Sequence, residues 1–123
     1  MREVVTHEPA KDAPAILLIH GARVPGVASF DLDVPGGSLA AEMAGLGRVW
    51  DGCSRIGGST RPKEMEEPAA GRAALVRSRE AARDIGAVVD SIRDRRRVEK
   101  VVLFGWSTGG NGRDIMRVFT PRK

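Results

Sequence analysis

A single cysteine, Cys53, stands among 123 residues, so no disulfide closes within the chain. Tyrosine is absent and aromatics make up 4%, which leaves aliphatic side chains to build any core. The longest apolar run, Ala13 to Ile19, is far shorter than the roughly 20 residues that span a bilayer. The opening MREVVTHEPAKD holds no apolar segment of signal-peptide length. A cytoplasmic location without a membrane partner is therefore expected. Histidine occurs twice and not beyond His20, a shortage that bears on any acid–base chemistry.

What is present suits one small domain. Hydrophobic residues make up 41% and charged residues 29%, ordinary values for a chain with a packed core. The net charge is +4 and the pI about 10.0. The basic residues are scattered, except for Arg93, Arg95, Arg96 and Arg97. Those four fall where a helix should end, and cations are favoured there by the carbonyl dipoles. With no nucleic-acid motif beside them, nucleic acid is not an expected partner.

Strand and helix signals alternate along the chain. Val4 and Val5 suggest a short first strand. AILLIHG is a continuous apolar run closed by glycine, the pattern of a strand covered on both faces. ARVPGVASFDLDVPGG has Pro and Gly without a period and reads as a loop. Ser38 is placed to cap a short helix, LAAEMAGLG, ended by Gly45 or Gly47. Arg48, Val49 and Trp50 suggest another strand, and DGCSRIGGSTRPKEMEEP a polar loop. From Gly71 to Arg97, Ala74, Leu75, Ala81, Ile85, Val88, Val89 and Ile92 recur at helical steps. VEKVVLFG then reads as a further buried strand. Alternation of this kind predicts an α/β fold with a parallel sheet and flanking helices.

Directly after that last strand comes Gly105-Trp106-Ser107-Thr108-Gly109, of the form G-x-S-x-G. A serine on a sharp strand-to-helix turn is held above the sheet with its oxygen exposed, and small neighbours let the strained chain pass. A phosphate-loop reading of GWSTGGNG fails for want of its lysine. Earlier, His20-Gly21 closes a strand and leads into Ala22-Arg23-Val24-Pro25-Gly26, a loop able to bring a second amide to an oxyanion. In these pieces, from about Ala15 to Gly110, the chain resembles the N-terminal half of an α/β-hydrolase of the esterase, lipase and aminopeptidase type. IHGARVPG is similar to that family's oxyanion loop and FGWSTGG to its nucleophile elbow. The resemblance implies Ser107 as nucleophile and the amides of Ala22 and Thr108 as oxyanion hole. It implies a structural role for His20, no cofactor or metal, and a small-molecule ester or amide as substrate. Gly57, Gly58, Ser59, Arg61 and Pro62 resemble the end of the family motif D-x-R-G-x-G-x-S.

Two features depart from the family. DGCSRI stands where D-x-R-G belongs, and no acid and histidine follow Ser107 to complete a triad. Codons for Trp50 to Ile56, read one base on, can spell Gly-Met-Asp-Ala-Arg-Gly. Codons from Arg113, shifted, can spell Gly-Tyr-Tyr-Ala-Ser-Leu-His-Pro. The expectation is a frameshifted gene, with residues 1–123 as the N-terminal portion of one hydrolase domain and 111–123 as an out-of-frame tail. A serine hydrolase with weak or no turnover is expected, against the alternative of a non-catalytic remnant or small basic binding module.

Overall fold

The computed structural model describes residues 1–5, 12–22, 24–52, 62–71 and 73–110. The expectations for Cys53, Gly57, Gly58, Ser59, Arg61 and the tail 111–123 lie outside the described residues.

Four strands form one sheet in the order β1-β3-β2-β4. They are β1 (Arg2–Val4), β2 (Ala15–Ile19), β3 (Arg48–Gly52) and β4 (Val101–Gly105). β2 runs parallel to both β3 and β4, while β1 lies antiparallel to β3. The sheet is thus mostly parallel and carries helices on both faces, an α/β arrangement.

The central position of β2 explains its composition. Every residue of AILLI is buried, because alternate side chains enter two different cores. Ala15, Leu17 and Ile19 join Trp50 and the Ile85, Val89 and Ile92 face of α3 (Ser78–Arg96). Ile16 and Leu18 join Val49, Phe30, Ala40 and Ala44 on the other face. There the cover is α1 (Gly26–Phe30) and α2 (Leu39–Ala44). Ser38 caps α2, its hydroxyl accepting from the Ala41 amide at 2.9 Å and donating to Asp31.

Three local expectations are corrected. The loop after β2 contains α1, which a pattern search misses because five residues are too few to show a period; buried Phe30 anchors it. The long helix starts at Ser78 rather than near Gly71. Gly71 has φ +87° and Arg77 is extended, and the Glu80 carboxylate accepts from the Arg77 amide at 2.9 Å, closing the first turn. Ala74 and Leu75 therefore precede the helix. The polar stretch before it holds a 3₁₀ turn at Lys63–Glu66.

Among the described strands, β4 lies at an edge of the sheet. Its Val101 and Leu103 pack toward α3, but Val102 and Phe104 remain 53% and 37% exposed on the opposite face. Phe104 touches only the edge of Phe30 among described aromatic rings, with centroids 6.2 Å apart. No helix among the described residues is long and apolar enough to cross a membrane.

Candidate active site

Pairing of β2 directly with β4 brings two chain turns together. Ile19 lies opposite Gly105 in the register, and the Trp106 amide extends the ladder by donating to the Ile19 carbonyl at 2.9 Å. His20-Gly21 and Trp106-Ser107 consequently leave the sheet side by side. They do so at the carboxyl ends of parallel strands, where open α/β sheets place their ligands.

Ser107 opens a 3₁₀ turn, Ser107–Gly110, and has φ +56°. That left-handed backbone is disfavoured for a residue with a Cβ and persists only when surrounding structure imposes it. The neighbouring glycines explain the imposition. A Cβ on Gly105 would come within 2.5 Å of the Gly109 carbonyl oxygen, and one on Gly109 within 2.5 Å of the Ile19 carbonyl oxygen. The turn is folded tightly upon itself and upon the end of β2. Gly21 faces the serine: a Cβ there would lie 3.1 Å from Ser107 Cβ and 3.3 Å from Oγ. Ser107 itself is exposed.

The two expected oxyanion donors are differently placed. The Thr108 amide lies in the 3₁₀ turn that Ser107 opens. The Ala22 amide donates to Thr108 Oγ1 at 2.8 Å. This bond ties the β2 loop to the serine turn, and Ala22 can serve an oxyanion only when the threonine side chain gives way. Among the described residues, none that follows Ser107 is a histidine. No group of three His, Cys, Asp or Glu side chains among them is arranged to hold a metal.

His20 is buried at 5% exposure, with Nδ1 2.6 Å from the Gly21 carbonyl oxygen. A carbonyl only accepts, so Nδ1 carries the hydrogen. The ring therefore braces the turn that presents Ala22.

Sequence reasoning missed Asp51. The sequence pattern places it in a polar loop, yet it lies in β3 at 6% exposure, opposite Leu18 of β2. The signal was its place directly after the strand signal Arg48-Val49-Trp50, where alternation puts it on the face of Val49. Its Oδ1 has no hydrogen-bond partner among the described residues, and its carboxylate is packed against Gly26, where a Cβ would come within 1.9 Å. Burial pushes the Asp51 carboxyl above its ordinary range, opposed by the charges of Arg2, His20 and the N-terminal ammonium. Asp31 shows the reverse: the Ser38 hydroxyl and then Arg2 hold its carboxyl low.

This difference has a measurable consequence. The folded state holds the Asp51 proton more tightly than the unfolded chain does. Its contribution to stability is therefore fullest below about pH 4 and falls as pH rises through the raised folded value. Asp51→Asn should remove that fall. Thermal midpoints measured from about pH 4 to pH 8 should decline less for the variant, which becomes the more stable protein at the alkaline end. Parallel curves for the two proteins would contradict the burial argument.

No protein family, curated protein or solved structure was found to match this chain.

Proposed function

We propose that the protein is an α/β-hydrolase-type serine hydrolase that attacks a small ester or amide by acyl transfer to Ser107. The observation that carries this reading is the backbone of Ser107: left-handed at φ +56°, exposed, and at the carboxyl end of β4 beside Gly21. A serine idle in a glycine-rich turn has no need of such a conformation, whereas a nucleophile does. Ser107 Oγ would attack the acyl carbonyl, its oxygen becoming the ester oxygen of an acyl-enzyme as the alcohol or amine departs. The Thr108 amide, and the Ala22 amide once released from Thr108 Oγ1, would stabilise the oxyanion.

Activation is the weak part of this machinery. A serine hydroxyl needs a neighbouring base to take its proton, and the sequence has no histidine beyond His20. The described residues thus make a nucleophile-and-oxyanion half-site, consistent with slow acylation and little turnover. The occupied Ala22 amide favours the second reading, a non-catalytic protein that keeps the turn without the reaction.

A fluorophosphonate probe separates the two. Slow labelling confined to Ser107 is expected, and Ser107→Gly should abolish it. Glycine adopts the left-handed backbone freely, so that variant keeps or raises the thermal midpoint and the loss is not one of folding. Labelling of the wild type no greater than that of Ser107→Gly would favour the non-catalytic reading.

A further inference from the structure

The arginine-rich end of α3 borders a cavity that acyl transfer does not use. Its volume is about 240 Å³, and Arg48, Arg95, Arg96 and Arg97 line it together with Ala15 and Val98. Arg48 and Ala15 are the paired first residues of β3 and β2, and Val98 precedes β4. The cavity therefore lies at the amino end of the parallel strands, opposite the end that carries Ser107.

The charges around it do not balance. Arg96 Nη2 donates to Glu3 at 2.6 Å, and its guanidinium lies 5.8 Å from the centroid of the Trp50 ring. Its Nε is buried with no partner among the described residues. Arg48, Arg95 and Arg97 make no ion pair with any described residue. The carbonyl end of α3 supplies roughly half a negative charge, which offsets only part of one guanidinium and leaves an excess of positive charge. Arg97 adds a second indication. It has φ +53° at the helix C-cap, a conformation that glycine adopts most cheaply. An arginine is kept there against backbone preference, lining the cavity with three others, and an anion would relieve the repulsion among their charges.

We propose that this cavity binds a phosphate group, free or as a phosphomonoester. Guanidinium forks match tetrahedral phosphate oxygens with paired, charge-assisted hydrogen bonds. The volume falls below the 300–1,000 Å³ or so usual for organic ligands. The phosphate itself therefore occupies the cavity, and any organic remainder stays outside.

Calorimetric titration of the intact protein with inorganic phosphate, and separately with phenyl phosphate, tests the proposal against sodium chloride at equal ionic strength. Saturable binding is expected for inorganic phosphate, and binding of phenyl phosphate as well would identify the phosphomonoester as an accepted form. The double variant Arg95→Gln/Arg97→Gly should weaken phosphate binding about tenfold or more. Arg97→Gly alone relieves the left-handed backbone, so its thermal midpoint without phosphate should equal or exceed that of the wild type, which separates lost binding from lost folding. An equal response to chloride, or undiminished phosphate affinity in the folded double variant, would overturn it. Neither result bears on the fluorophosphonate test at Ser107.

Discussion

Trp50→Ala should destabilise the protein by about 3–5 kcal/mol, a large share of the roughly 5–15 kcal/mol that holds a small domain together. Trp50 is fully buried on β3, in the core that β2 shares with Ile85, Val89 and Ile92 of α3. Truncation leaves a void between sheet and helix and removes the ring beneath the Arg96 guanidinium. Arg96 also holds Glu3 of β1, so the loss extends to the pairing of β1 with β3. Trp50→Phe makes the informative comparison. The indole Nε1 is buried with no hydrogen-bond partner among the described residues, and phenylalanine omits that desolvated group while retaining most of the ring. Its cost should stay below about 1.5 kcal/mol. Denaturant unfolding of both variants checks the pair. A loss for Trp50→Phe as large as that for Trp50→Ala would mean that the indole N–H is hydrogen-bonded and that this bond, rather than ring volume, carries the effect.

Gly109→Ala should reduce fluorophosphonate labelling of Ser107 by at least about tenfold and cost roughly 1–3 kcal/mol in stability. The new methyl would stand 2.5 Å from the Ile19 carbonyl oxygen and 2.6 Å from that of His20. Both obstacles are backbone, so no rotamer change relieves them. The ends of β2 and β4 must part, which strains the 2.9 Å bond from the Trp106 amide to Ile19 and the 2.8 Å bond from Ala22 to Thr108. Gly110→Ala, where the nearest atom would lie 3.1 Å away, is the milder control and should retain most of the labelling. If Gly109→Ala labels like the wild type, the close approach of the two turns is not what presents Ser107.

The parts of the fold that were legible in the sequence are those set by burial at close range. The run AILLI could be read as a doubly covered strand because a central strand in a parallel sheet has no solvent face. The stripe through Ile85, Val88, Val89 and Ile92 announced α3 because a helix repeats its buried face every three or four residues, although the buried alanine is Ala82 rather than Ala81. Ser38 was readable as a cap because a hydroxyl at that position satisfies an amide of its own helix. The short helix α1 was not legible, since its anchor, Phe30, is recognisable only once the sheet it covers exists.

By itself, the sequence determined the alternating strands and helices, the glycines that admit a sharp turn, and Ser107 as the residue that turn presents. Only the tertiary structure decided which strands are neighbours. β2 pairs with β4 across about 80 intervening residues, and no local pattern encodes a choice of partner that depends on how helices cover two faces. From that pairing came the contact of Gly21 with Ser107 and the occupation of the Ala22 amide by Thr108, while the pairing of β2 with β3 set Asp51 beneath Gly26. The β2–β3 pairing also gathered Arg48 with the arginines at the end of α3 around one cavity. These are contacts between residues far apart in the chain, and their energies depend on distances that exist only after the sheet has formed.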